Sequence, residues 1–256
     1  IIGTQITPSA SAQTLVIDIA VVLDGVSLGS KRVEAAIVAG GIVLRTNTHS
    51  TVSSTGYRDN GICTGSGNSF EYVEHFGHVS IASQSEEHCV NPLQQNTTRS
   101  SFASLIADPG VAAGGQSAAM AFQSSGMAYA SVDTCVDAFF CSNISSSASV
   151  TFHVEFDVVG ASMNFEFDAT QVWDAAFPSS ARITLTRQSG TNPQIINWNG
   201  TPTDLLLVGN LTPGYYVFEY GANVGLTAEP NGGPRTATWN TEGTLTITPA
   251  PAAAMT

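Results

Sequence analysis

The residues best placed to do chemistry lie between Ser147 and Asp168. His153, Glu155 and Asp157 alternate with Phe152, Val154, Phe156 and Val158, and Asn164, Glu166 and Asp168 alternate with Met163, Phe165 and Phe167. A period of two puts every polar side chain on one face of a strand and every apolar one on the other. A two-residue hairpin turn at Gly160-Ala161 would set Val158 against Met163, Phe156 against Phe165 and Val154 against Phe167. On the polar side it would set Glu155 opposite Glu166, Asp157 opposite Asn164 and His153 opposite Asp168. Like charges directly opposed repel, and Ca²⁺ with several oxygen ligands would relieve them. Glu155, Asp157, Glu166 and Asp168 are therefore candidate calcium ligands, and no other cofactor is called for. A carboxylate pair also suits glycoside hydrolysis, but nothing in the pattern makes one an acid and the other a base. A solvated sheet face is the simpler reading.

Two further groups have chemical potential. His75-Phe76-Gly77-His78, with Glu71, Glu74, Glu86, Glu87 and His88 nearby, has the residue types of a transition-metal site. Residues three apart on a strand point to opposite faces, so only a loop would converge them. Trp173, Trp198 and Trp239, joined by Tyr215, Tyr216 and Tyr220, are the material of a sugar-stacking platform. Tyr216, Phe218 and Tyr220 share one strand face and Tyr215, Val217 and Glu219 the other, and one of those faces must be core.

Sequence motifs for catalysis are absent: there is no Gly-x-Ser-x-Gly, no His-Glu-x-x-His, no P-loop and no dinucleotide fingerprint. The chain has 256 residues and a formal net charge of −12, with charged residues at only 11%. Lys31 is the single lysine, and the seven arginines form no basic stripe, which argues against nucleic acid and anionic membrane as partners. No apolar run approaches the roughly 18 residues of a membrane span. Asn96, Asn143, Asn199 and Asn210 begin glycosylation sequons, common by chance in so Asn- and Thr-rich a chain.

The four cysteines form no Cys-x-x-Cys motif. An even number in a lysine-poor, Ser/Thr/Gly-rich chain suits disulfides outside the cytoplasm. Of the three possible connectivities, Cys63–Cys89 and Cys135–Cys141 are favoured because each closes a polar or irregular loop. The longer of these would be stabilised by about 3 kcal/mol. Four free buried thiols are the alternative.

The elements that must carry these residues are strands. Thr14–Leu23 places Leu15, Ile17, Ile19, Val21 and Leu23 on one face and Val16, Ala20 and Val22 on the other. That suits a central strand, or one donated to a neighbouring subunit's sheet. Asp24-Gly25 signals a turn. Thr46–Asn68 and Ser83–Ser100 read as polar loops, and Ser101–Asp137 as thin Ala/Ser/Gly strands interrupted at Asp108-Pro109-Gly110. Regular short strands follow to Thr248, with Pro213-Gly214 as a tight turn. The fold expected is all-β, an antiparallel β-sandwich or jelly roll, as one unit or two packed β subdomains. The expected divisions are an N-terminal extension (1–13), a β-rich region with disulfide-pinned loops (14–140), a sandwich core region (141–248) and a Pro/Ala tail (249–256).

From about Ser145 onward the chain resembles exported bacterial β-sandwich proteins that carry PEP-CTERM-type sorting tails. The resemblance lies in the Ser/Ala-rich lead into Val150–Val159, the strand Ala181–Arg187, Leu211-Thr212-Pro213-Gly214-Tyr215-Tyr216-Val217-Phe218, and Leu245-Thr246-Ile247-Thr248-Pro249-Ala250-Pro251. The tail departs from that family: Pro249-Ala250-Pro251 stands where it has Pro-Glu-Pro. The resemblance implies an exported, mature chain in a surface or matrix setting. The expectation is a non-catalytic extracellular structural subunit assembling with copies of itself in a fibre, sheath or biofilm matrix, by strand addition through Thr14–Leu23. A carbohydrate-binding module with polysaccharide as partner is the alternative.

Overall fold

The computed structural model describes residues 3–9, 12–23, 26–37, 41–45, 47–57, 62–66, 68–75, 77–91, 95–112, 115–132, 143–173, 179–189, 191, 193–200 and 204–250, with the backbone alone for 3–37, for 62–66 and at a few strand ends. Within these residues every regular element is a β-strand, and no helix is long and apolar enough to cross a membrane.

Strands β1 (Gly3–Ser9), β2 (Ala12–Leu23) and β3 (Val26–Ile37) form an antiparallel sheet in that order. The strand expected at Thr14–Leu23 is thus the central one: Leu15 lies opposite Ile6 on one side and opposite Ala35 on the other. Asp24-Gly25 and the side chains of Leu15, Ile17, Ile19, Val21 and Leu23 fall outside the described residues.

The rest is an antiparallel β-sandwich. One sheet runs β15 (Leu205–Leu211), β12 (Met163–Trp173), β17 (Arg235–Pro249), β10 (Ala118–Val132), β9 (Gln95–Val111), β8 (Val79–Asn91), β6 (Ile62–Ser66). The other runs β14 (Gln194–Gly200), β13 (Ser179–Arg187), β16 (Gly214–Ala228), β11 (Ile144–Val159), β5 (His49–Tyr57), β7 (Asn68–Glu74), with β4 (Gly41–Leu44) beside β11 beyond the end of β5. Both sheets draw strands from either side of residue 140, so the division expected there is not a boundary in the fold. Cys89 of β8 is disulfide-bonded, and the residue directly across the ladder from it is Cys63 of β6. Cys135, Cys141 and residues 251–256 lie outside the described residues.

The hairpin expected at Gly160-Ala161 does not form. β11 pairs with β16, β5 and β4, whereas β12 pairs with β15 and β17 in the other sheet. Gly160, at φ 75° in the left-handed region, carries the chain from one sheet to the other. Phe152, Val154, Phe156 and Val158 face inward from one layer, and Met163, Phe165 and Phe167 face inward from the opposite one. The alternation identified the buried face of each strand correctly. It could not say which strand lay beside it.

The middle of the core is aromatic. Phe122 of β10 meets Tyr220 at 4.2 Å, Phe152 at 5.8 Å and Phe218 at 6.4 Å, all from the facing sheet. Towards β5, β8 and β9 the interior changes character and is filled by hydroxyls. Ser54 donates to the Ser83 carbonyl (2.9 Å), Ser146 to the Ser100 carbonyl (2.8 Å), and Ser85 pairs with Ser101 (2.8 Å), all buried or nearly so. This is why Thr46–Asn68 and Ser83–Ser100, expected as loops, supply strands: their inward positions are small polar side chains, several of which hydrogen-bond within the sandwich. Asp108-Pro109-Gly110 lies inside β9, past the point where β8 begins with Val79 opposite Ala107.

Three aromatic rings lie over cross-strand glycines: Trp239 opposite Gly126, Phe122 opposite Gly243 and Phe165 opposite Gly209. A Cβ built on Gly126 would sit 1.8 Å from the Trp239 ring, and one on Gly243 2.6 Å from Phe122. Such pairs fix register because a slip would put a side chain into a ring. Gly126→Ala should destabilise the chain by about 1–3 kcal/mol through overpacking. Gly77→Ala, where the added Cβ meets nothing within 4 Å, should be near neutral. Urea denaturation of the two variants checks this, and equal stabilities would contradict it.

Candidate functional site

The densest polar cluster lies on the outer face of β11. β4 and β5 both pair with β11, Leu44 opposite Phe156 and His49 opposite His153, with Val154 and Glu155 of β11 between the two ladders. The Arg45 N–H still reaches the Glu155 carbonyl (2.8 Å), and the Thr48 hydroxyl donates to the Arg45 carbonyl (3.2 Å). Arg45 and Asn47 reach Asp157 and Glu155 on the outer face, where β16 brings Tyr215 and Glu219 from the other side of β11.

Glu155 is the hub, and it is buried although it lies on an outer face. Asn47 Nδ2 donates to its Oε1 (2.5 Å), Tyr215 Oη to its Oε2 (2.5 Å), and His153 Nε2 lies 3.2 Å from Oε1. Asp157 takes a two-pronged pair from Arg45, Nε to Oδ2 and Nη2 to Oδ1, both at 2.8 Å. The same guanidinium lies 3.8 Å over the Tyr215 ring. His153 Nδ1 is 3.7 Å from Glu219 Oε2, an ion-pair distance, and its ring stacks on His49 at 4.5 Å.

The electrostatics follow from this packing. Burial raises the Glu155 carboxyl, but hydrogen bonds from Tyr215, Asn47 and His153 outweigh it and hold the group below the ordinary value. Glu219 is also held low, chiefly by His153. His153 is raised, first by Glu219 and then by Glu155, against the opposing effect of burial. Burial, reinforced by Glu155, pushes Tyr215 up to about 12, so it stays a donor. A general acid needs a carboxyl raised towards neutrality. Here both carboxylates beside the imidazole are lowered rather than raised.

The calcium set expected from the sequence is not brought together. Glu155 and Asp157 stand on the outer face of one sheet, and Glu166 and Asp168 are exposed on the outer face of the other, with the sandwich between them. The hairpin that would have joined them is absent. Within the described residues no three His, Cys, Asp or Glu side chains meet as a metal site. His75 is buried, with Nε2 2.7 Å from the Ser50 hydroxyl and Nδ1 2.9 Å from the Gly77 carbonyl, while His78 is exposed. Glu87 is committed to Arg99, whose Nε donates to it at 2.6 Å.

Trp198 and Trp239 do not form an exposed platform. Trp239 is buried, its Nε1 donating to the Ser124 hydroxyl at 3.3 Å, and Trp198 is partly buried against the core. The side chain of Trp173, whose Cα lies opposite Trp239, is outside the described residues. Tyr216 and Tyr220 are core residues. The aromatics that do stand out are Phe70, 69% exposed, and Tyr72, 45% exposed, both on β7. Burial alternation could not single them out in the sequence, because β7 is an edge strand with no strongly apolar face.

No protein-family model and no curated protein matches the chain. It is similar in structure to a chain from infectious bursal disease virus Gx strain, at 10% identity and a TM-score of 0.27, over 95% of this chain and 65% of that one. A chain from the Gt strain of that virus is similar at 10% identity and a TM-score of 0.23, over 82% of this chain and 70% of that one.

The network predicts a pH signature. The raised His153 contributes stability in full below its unfolded pKa of about 6.5, and loses it as pH rises through the higher folded value. Glu155 and Glu219, being lowered, lose theirs as pH falls through their folded values. His75, lowered mainly by burial, acts in the opposite sense to His153, so the informative quantity is a difference. The stability gap between the native chain and His153→Gln should be widest near pH 5–6 and close as pH rises. Urea titrations across pH measure it; a gap that does not change with pH would refute the assignment.

Proposed function

We propose that this chain is a non-catalytic, exported structural subunit that joins copies of itself edge to edge in a fibre, sheath or surface matrix. The observation that carries this reading is the free edge of β15. Leu205–Leu211 pairs only with β12 among the described residues, and it contains no charge, no proline and no bulge. Leu206 is 63% exposed and Val208 70%. Soluble sandwiches ordinarily guard such an edge with lysine, proline or a twist, because its unpaired N–H and C=O groups recruit another strand.

The neighbouring geometry favours a second copy as that strand. β14 ends the other sheet on the same side of the sandwich, and Trp198, Leu205 and Leu207 there are only partly buried against the core. An antiparallel pairing centred on Val208 would set Leu205 against Leu211 and Leu206 against Asn210, an isologous contact that closes a pair of copies as the building block of the larger assembly. An uncharged strand is also where two chains of net charge −12 meet with least repulsion. On the far side, β7 carries Glu71 and Glu74. β2 already has both edges taken within its own sheet, which moves the assembly strand of this reading from Thr14–Leu23 to β15. The disulfide at Cys89 and the scarcity of lysine support an extracellular setting.

Seven residues from each of β14 and β15 fall short of the 20–30 per side of a standard interface, so association should be weak and concentration-dependent. Sedimentation velocity over a concentration series, with negative-stain microscopy of the concentrated protein, should show oligomers or filaments for the native chain. Leu206→Lys with Val208→Lys should leave it folded and monomeric. A native chain that stays monomeric throughout, or a double variant that assembles as before, would overturn the reading.

A further inference from the structure

The outer face of the β14–β7 sheet holds an open trough of about 800 Å³. Its floor is made of small polar side chains from three adjacent strands: Ser53 and Thr55 of β5, Ser147 and Ser149 of β11, Asn223 and Thr227 of β16. Glu229 and Arg235, flanking the β16–β17 turn, close one end. Phe70 stands on the next strand, its Cα opposite Ser53, and Tyr72 lies two residues along on the same face, opposite Thr51.

A row of small residues alone would be only a flat hydroxyl surface. Two features make this one a site. The first is the hollow itself, within the size range of ligand clefts. The second is the pair of exposed rings on the adjoining strand and the same face, Phe70 beside Ser53 of the floor and Tyr72 one step further along. They are spaced about 7 Å apart along the strand. Tyr72 is held in orientation by its hydroxyl, which donates to Glu74 Oε1 at 3.1 Å, and by the His49 ring at 5.2 Å.

We propose that this trough binds a neutral polysaccharide. The floor hydroxyls are paired with each other, Ser53 with Ser149 (2.8 Å) and Thr55 with Ser147 (2.7 Å). Each such pair uses one donor and one acceptor, and so presents one further O–H and three lone pairs to the trough. That mixture of donors and acceptors matches a chain of sugar hydroxyls. The rings of Phe70 and Tyr72 match the apolar faces of the sugars. An open trough admits a chain running through it. Its own two charges are of opposite sign, and a protein of net charge −12 repels polyanions, which selects neutral glycans over acidic ones.

This inference goes beyond the structural reading and does not depend on it, because β15 lies at the far edge of the other sheet. The test is affinity electrophoresis of the full chain through gels containing β-glucan, galactomannan or dextran, with alginate as the acidic control. At least one neutral polymer should retard the native chain, with little effect of salt. Phe70→Ala with Tyr72→Ala should weaken that binding about tenfold, and Ser147→Trp, which fills the trough, should abolish it. Unchanged thermal unfolding of these surface variants establishes that they are folded. The Leu206→Lys, Val208→Lys chain should bind like the native one. Retardation by alginate alone, by none of the neutral polymers, or equally in native and trough variants would overturn the proposal.

Discussion

Phe122 occupies the one position on which both sheets depend. In its own sheet it lies over Gly243 of β17, where a Cβ would come within 2.6 Å, so the β10–β17 register is fixed by shape. Across the sandwich it meets Tyr220, Phe152 and Phe218. The Tyr220 hydroxyl, buried and pushed up to about 12, needs a partner in the facing layer and finds Ser124 Oγ at 2.7 Å. Ser124 also accepts from Trp239, whose ring covers Gly126. One local set of aromatic–glycine and hydroxyl contacts thus sets strand register and inter-sheet alignment together. A one-residue slip in β10 would lose all of them.

Much of this fold was legible in the residues, though one kind of information was not. Period-two alternation at Phe152–Val158 and Met163–Phe167 named the inward positions correctly, because burial of one face is a property of the strand itself. Pairing is a property of two strands, and the short connection at Gly160-Ala161 suits both a hairpin and a crossing between layers. The expected carboxylate cluster failed for the same reason. The second gap was chemical. Where Ser50, Ser54, Ser83, Ser85, Ser101 and Ser146 turn inward, the interior is polar, and a reading that equates core with apolar side chains sees loops. Hydroxyls small enough to pack and able to bond across layers serve there instead.

The polar cluster around Glu155 shows how far a local reading reaches. Glu155 and His153 could be picked out by alternation on a single strand. Arg45 and Asn47 reach the cluster from more than a hundred residues earlier in the chain, and Tyr215 only through the β11–β16 register. Their effect is to change what Glu155 does. A carboxylate with Asn47, Tyr215 and His153 around it is held ionised and ties β11 to β16 and to the chain between β4 and β5. The same residue beside Glu166 would have been a repelled pair in need of a cation.

The two surfaces that remain differ in direction, and that has a consequence for how the chain can work. A sandwich has faces and edges at right angles, and pairing at β15 extends the sheets within their own planes. Joining copies in that direction covers no part of either outer face, so the trough between β5, β11 and β16 would stay open on every subunit. The paired copy would then repeat the trough at a fixed distance, and a polymer spanning both subunits would be held at two points. Weak contacts of both kinds would reinforce one another in such a pair, since the first bound stretch of polymer raises the effective concentration of the second. Neither surface needs high affinity by itself for the assembly and its ligand to hold together.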